Sequence, residues 1–492
     1  MNIHCWPRRL WSLFSCGRQI ITLVISVLVC LAAAFGQEVT VTVSSKAGDR
    51  LTARASLRFE AQGKATVPAF KLDAAVTDQK IDGFGGSLME AGLICLNDLA
   101  PAAQEEVLQK LFDPAKGAGF TAMKTEIAST DFASAGPWYT YDDAPGDVEM
   151  KHFSIARDLG PDGMVTFIKR ARKYGKFMLQ APMDYPPDWM VTNLQDRKKQ
   201  DVDPKYFDAL ALYYLRYLQE YNKQGIFIDY LSPFNEPGIY TKIPYTKIRD
   251  LIRDHVGPLF AKQGVKTRIQ LSEAPSREEA KHYETVLSDP GARKYVASLP
   301  YHGYDFKNFD VILNLHKKYP ALPLWMTEVC WAYEAGAPKN MPLPRYDWED
   351  GDFWGNQMVS DLEAGAAAWI YWNTILDEKG GPWAVSAIHE NPDPNVQHPV
   401  VVINRQTKKV TYTGLYYYLA HFSKFVRPGA VRIGTSGAVK GVRCVAFKTP
   451  AGGFVAELIN SSKTDTEAVL ESGSRALNLK LPALSITTLQ WK

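Results

Sequence analysis

Cysteine is scarce: six copies in 492 residues, of which Cys5, Cys16 and Cys30 fall in the first 36. An odd three, Cys95, Cys330 and Cys444, are left for the rest, which excludes a disulfide framework. Nine histidines form no His-x-His or His-Glu-x-x-His spacing, so neither a metal nor a metal-dependent hydrolase is expected. There is no Gly-x-Ser-x-Gly elbow. The Gly83-Phe84-Gly85-Gly86 turn lacks the last glycine of a dinucleotide fingerprint, so no organic cofactor is expected either. Net charge is also nearly absent. The formal +3 sets 56 Lys and Arg against 53 Asp and Glu, and Arg8, Arg9 and Arg18 account for all of it. The neutral remainder argues against nucleic acid or an anionic membrane as partner. No internal repeat or low-complexity segment is visible.

What is present is an ordinary globular composition, 46% hydrophobic and 22% charged, with an excess of aromatics: 12 Trp, 24 Tyr and 22 Phe. Aromatics mostly fill cores, but they also suit a cleft that stacks on the flat apolar faces of sugars. Met1–Gly36 reads as a signal peptide. It has a basic start, the apolar run Ile20–Leu31 and small residues at Ala34-Phe35-Gly36 before Gln37. The protein is therefore expected to be secreted or periplasmic, with no stable membrane insertion once the signal is removed. An uncleaved anchor is the alternative, although the apolar run is short for a ~20-residue span. Arg8-Arg9 is a loose twin-arginine match.

Residues 37–74 and 427–492 show period-2 patterning, as in Val39-Thr40-Val41-Thr42-Val43 and Phe454-Val455-Ala456-Glu457-Leu458-Ile459. These two ends are expected to form one β-sandwich. Residues 75–426 alternate short apolar runs with amphipathic helical stretches. The runs are Ile81–Phe84, Ala122–Ile127, Phe177–Ala181, Phe227–Pro233, Ile269–Ser272, Val296–Tyr301, Leu322–Thr327 and Ala367–Trp372. Helical patterns include Ala102–Leu111, Met164–Tyr174, Tyr206–Asn222, Tyr245–Gln263, Arg277–Leu287 and Val311–Lys318. Such alternation means a parallel sheet, and eight units of this length fit an α/β fold of the (β/α)8 TIM-barrel type. A doubly wound open sheet is the structural rival.

Active groups in a barrel sit at the C-terminal strand ends. The fourth run ends Asn235-Glu236-Pro237 and the seventh ends Thr327-Glu328. Strands four and seven lie on opposite sides of a barrel mouth, so the two carboxylates can face each other. Glycosidic bond cleavage needs such a pair, one carboxyl protonating the leaving oxygen and the other acting on the anomeric carbon.

From about Ile81 to Gly434 the chain resembles glycoside hydrolase family 30, in its glucosylceramidase-like branch. The resemblance rests on several segments. They are Asp82-Gly83-Phe84-Gly85-Gly86-Ser87, Thr130-Asp131-Phe132 with Tyr139–Asp143 and Phe153-Ser154-Ile155, Asn235-Glu236-Pro237, Thr327-Glu328, Leu376–Pro382 and His421–Phe425. It implies a (β/α)8 barrel with a sandwich built from both chain ends, and a retaining β-glycosidase acting on a carbohydrate or glycolipid. Glu236 would be the acid/base and Glu328 the nucleophile. Asn235 would bind the 2-hydroxyl of the sugar, and Tyr304 would lie beside the nucleophile. Asp131 would bind sugar hydroxyls, and Trp372 would form a platform at the floor of the site. Glucosylceramide-like β-glucosides are the first expectation for substrate; β-1,6-glucan or a xylan is the alternative. A non-catalytic carbohydrate-binding protein is disfavoured by the presence of both glutamates.

Two departures from the family pattern bear on the sugar. Met183 stands at or near a tryptophan that contacts it, with Asp184 or Tyr185 expected to take over. Lys124 stands where the family often has arginine, retaining the charge without the guanidinium fork. Glu126 nearby is a new carboxylate, either a partner of Lys124 or a substrate contact.

Overall fold

Each of the eight apolar runs overlaps a parallel strand in the computed structural model. The structure describes Met1 and residues 37–62, 67–130, 132–133, 139–194, 199–239, 241–333, 347–382 and 396–492. Apart from Met1, the expected signal segment lies outside the described residues, and so does Asp131. Barrel strands one to eight are Gly83–Gly86, Ala122–Lys124, Met178–Pro182, Tyr230–Ser232, Arg268–Gln270, Val296–His302, Leu324–Glu328 and Ala366–Tyr371. They neighbour one another in sequence order, with strand eight beside strand one. A parallel bridge between Ser87 and Lys124 joins strands one and two and completes the ring.

The strands read as continuous apolar runs because both faces are covered. Every residue of strands seven and eight is buried. The glycines of strand one have a steric cause: a Cβ on Gly85 would run into the Ala122 carbonyl of strand two.

Helices cover the outside. Phe207–Lys223 buries Leu210, Tyr214, Tyr217 and Tyr221, a stripe at spacings of three and four residues. Trp348–Glu363 starts at Asp347, whose side chain accepts from the Asp350 N–H, and Gly414–Phe425 starts at Thr413, which accepts from the Tyr416 N–H. The helical stretch expected over Tyr245–Gln263 is interrupted: α-helix over Tyr245–Asp250, π-helix over Leu251–Val256, and α-helix again over Gly257–Gln263. Pro258 explains the break, since it has no N–H and its ring would clash with the carbonyl four residues back.

The chain ends share one sheet. Glu38–Ser45 pairs antiparallel with the last strand, Ser485–Trp491. Ala69–Lys80 pairs antiparallel with Val431–Gly437 and parallel with Thr466–Ser472. Val39, Val41 and Val43 turn inward and pack with Phe70, Leu458, Leu470 and Leu489. The fold is thus a (β/α)8 barrel with a β-sandwich domain built from both ends. The last barrel helix seats on this sandwich through His421, whose ring nitrogens lie 2.9 Å from Ser44 Oγ and 2.6 Å from Thr488 Oγ1. Cys95, Cys330 and Cys444 are buried thiols. Among the described residues, no helix is long and apolar enough to cross a membrane.

Candidate active site

Asn235 and Glu236 follow strand four, and Glu328 ends strand seven. Backbone hydrogen bonds set the chain that carries them. The Asn235 N–H donates to the Met183 carbonyl at 2.8 Å, and the Gly303 N–H to the Glu328 carbonyl at 2.8 Å. Glu236 itself has φ +43°, a left-handed conformation rare for a residue with a Cβ. Backbone strain of this kind persists where the surroundings enforce it, and it clusters at functional sites.

The two side chains meet across the barrel mouth. One oxygen each of Glu236 and Glu328 and a ring nitrogen of His302 all lie within 4.8 Å of one another. Both Glu328 oxygens are held: Tyr304 Oη donates to Oε1 at 2.8 Å, and Lys124 Nζ to Oε2 at 2.6 Å. These two bonds fix the plane of the carboxylate. Glu236 Oε1 lies 2.8 Å from His302 Nδ1. Burial pushes the Glu236 pKa up, the bond to His302 opposes this, and the neighbouring Glu328 charge raises it further. The net direction is upward, toward a carboxyl that keeps its proton.

Lys124 is completely buried. Its ammonium donates to Glu328, to Glu273 Oε2 at 2.9 Å and to Asn235 Oδ1 at 3.2 Å, and it lies 4.7 Å from the centre of the Trp372 ring. Burial alone would lower its pKa. The Glu273, Glu328 and Glu126 charges outweigh that and push its pKa up. His302, also fully buried, places Nε2 3.0 Å from Glu273 Oε2. Burial opposes its charge, yet Glu328, Glu236 and Glu273 raise its pKa to about 10. Both ring nitrogens face carboxylates, an arrangement that favours the imidazolium form.

The structure brings Asn235, Glu236, Tyr304, Glu328 and Trp372 together around Lys124 and His302. Trp372 is only 2% exposed, its ring set against Lys124 and edge-on to Phe132. Asp184 is also buried, and its charge acts on Lys124 and Glu126. Met183 is fully buried too. Of the two readings of Glu126, the structure favours partnership with Lys124, at 3.7 Å. Lys124 is nearer to two other carboxylates, however. Burial raises the Glu126 pKa well above normal despite Lys124, and Asp184 adds to the rise.

The sequence reading missed Glu273 and the position of His302. The rule that singled out Glu236 and Glu328, a glutamate just past a barrel strand, also applied to Glu273 after Ile269–Ser272. A groove of about 780 Å³ lies in the sandwich beside Arg54, Leu57, Asn478 and Lys480. No carboxylate pair of the kind described above lines it.

Residues 81–426 match the model of the glycosyl hydrolase family 30 TIM-barrel domain, and residues 429–489 that of the family 30 β-sandwich domain. The chain belongs to glycoside hydrolase family 30. As a family 30 member it is a glycosidase, and its substrate is a carbohydrate or glycolipid. Among curated relatives, the lysosomal acid glucosylceramidase of Mus musculus is 25% identical over 434 residues, 84% of this chain and 81% of that one. The endo-1,6-β-D-glucanase of Neurospora crassa is 28% identical over 374 residues, 73% of each chain. Among solved structures, SrfJ from Salmonella typhimurium superposes with a TM-score of 0.82 at 22% identity, covering 92% of this chain and 99% of that one. This likeness supports the fold alone.

Proposed function

We propose that this protein is a retaining β-glycosidase with Glu328 as nucleophile and Glu236 as acid/base, and that its substrates are β-glucosides. One observation carries the mechanism: the Glu236 and Glu328 oxygens approach within 4.8 Å. Retaining pairs sit about 5–5.5 Å apart, whereas inverting pairs stand about 6.5–9.5 Å apart to admit a water between them.

In the first step Glu328 attacks the anomeric carbon while the bond to the leaving oxygen breaks. Glu236 transfers its proton to that oxygen, and the sugar is left as an ester on Glu328. Esterification removes the Glu328 charge, one of the influences that holds the Glu236 pKa up. Glu236 is then better suited to act as base. It takes a proton from water, whose oxygen attacks the anomeric carbon and frees Glu328. Two displacements restore the starting configuration. In this reading Asn235, anchored by Lys124, binds the 2-hydroxyl.

The β-glucoside assignment is supported by the segments around Asp131 and Leu376–Phe425 and by the relationship to the mouse glucosylceramidase. The Neurospora relative supports a second reading, a β-1,6-glucanase. Export through the Met1–Gly36 signal belongs to the same proposal. Proton NMR of an aryl β-glucoside digest should show the β-anomer forming first; an α-anomer would overturn the double displacement. A panel of glucosylceramide, β-1,6-glucan and xylan decides the substrate, with fastest turnover expected on glucosylceramide. Protein recovered from outside the cytoplasm should begin near Gln37.

A further inference from the structure

Glu273 has no place in the two-carboxylate chemistry, yet it is among the most completely enclosed charges in the molecule. It follows strand five, is 0% exposed, and accepts three side-chain hydrogen bonds. Lys124 Nζ and His302 Nε2 approach Oε2 at 2.9 and 3.0 Å, and Gln180 Nε2 bonds Oε1. Two of these donors are themselves bonded to the catalytic pair. An unbroken chain therefore runs Glu328–Lys124–Glu273–His302–Glu236, with heavy-atom steps of 2.6, 2.9, 3.0 and 2.8 Å. An enclosed carboxylate with this many charged donors is held for position or charge, since burying it unpaired would be prohibitive.

We propose that Glu273 is a positioning residue of the reaction: it anchors Lys124 and His302 at once and so ties the setting of the acid/base to that of the nucleophile. This rests on the retaining reading given above. The groups facing His302 are Glu236 from the strand-four end, Glu273 from strand five and Glu328 from strand seven, the last at 3.6 Å. The Tyr304 ring, two residues past the end of strand six, stands 5.9 Å away, and Lys124 is bonded to Glu273. With Glu273 neutralised, His302 loses one of its two acceptors and one of three negative neighbours, and it gives up its proton more readily. A neutral His302 no longer draws the Glu236 proton away, so Glu236 keeps that proton to higher pH.

The test is the pH profile of kcat/KM on an aryl β-glucoside for Glu273→Gln and Glu273→Asp. Glu273→Gln should lower the rate, on the order of 10²-fold for lost positioning. It should also move the alkaline limb upward by about one pH unit, a tenfold change in the proton equilibrium. Glu273→Asp should return the limb to its wild-type position even if the rate stays low. An unmoved limb in Glu273→Gln would reduce Glu273 to a structural residue and overturn the proposal. Should Glu273→Gln not fold, the nitrogen-15 spectrum of wild-type His302 at pH 8 decides instead: a doubly protonated ring is expected, and a neutral ring overturns it. Failure of the retaining reading is distinguishable, because it would appear as an inverted product or as an active Glu328→Gln enzyme.

Discussion

Two buried clusters in this molecule use the same residue types and reach opposite charge states. At the barrel mouth His302 and Glu273 are fully buried; where the last helix meets the sandwich, so are His421 and Glu457. The His302 pKa rises to about 10, whereas that of His421 falls to about 3. Glu273 is lowered, whereas Glu457 is raised well above the usual range. Burial pushes each pair the same way, toward neutrality, so burial cannot explain the difference. The neighbours do. His302 lies among three carboxylates, with Lys124 balancing them. His421 meets the Ser44 and Thr488 hydroxyls, with Glu457 3.8 Å away. Hydroxyls can serve a neutral ring and a protonated carboxyl, so this second cluster has no need of charge. The lesson is that a buried polar group takes its ionisation from its partners, with burial setting only the penalty.

The comparison can be broken at either end. Removing the charge the barrel cluster is built around should have the largest effect. Glu328→Gln should abolish hydrolysis of aryl β-glucosides, a loss beyond the about 10⁴-fold ceiling of acid–base catalysis. Glu236→Gln should cost about 10²–10⁴-fold on natural substrates with poor leaving groups and much less on activated aryl glycosides. Equal losses on both would count against the acid/base role.

Lys124→Met asks whether the charged network is needed to hold the fold. It leaves Glu273 and Glu328 without their buried cation and should destabilise the protein by about 3–5 kcal/mol, read as a fall in Tm. An unchanged Tm would show that the fold does not depend on this buried cation. Glu457→Gln probes the neutral cluster and should act least. With a raised folded pKa, Glu457 contributes stability that is complete below its unfolded value near 4.5 and fades as pH rises toward the folded one. The amide does not titrate. Wild-type stability should therefore fall relative to Glu457→Gln above about pH 4.5, by at most about 1.4 kcal/mol per pH unit. Parallel denaturation curves between pH 5 and 8 would mean Glu457 is ionised and the contrast false.

Much of the barrel was legible in the sequence, because strand–helix alternation is written in hydrophobic spacing and each apolar run had to be buried on both sides. The register at Pro258 was not foreseen, since a single proline inside a good amphipathic pattern does not announce whether a helix bends, ends or widens. At the site, Glu236 and Glu328 stood out as strand-end glutamates, and Tyr304 and Asn235 followed from their motifs. His302 did not, because a lone histidine says nothing until its neighbours are known. Met183 read as a lost sugar contact; its complete burial shows a side chain that packs inward while its carbonyl anchors Asn235.

By itself, then, the sequence determined the barrel, the shared sandwich and the pair of opposed carboxylates. These follow from periodicity and from strand ends, which are local properties of the chain. Tertiary structure alone decided which charges meet. Lys124, Glu273 and His302 come from strand two, the segment after strand five and strand six, and whether each is charged depends on distances of about 3 Å between residues 29 to 149 positions apart. Electrostatic interaction is set by separation in space and by the loss of water around the charges, and neither is written in the order of the residues.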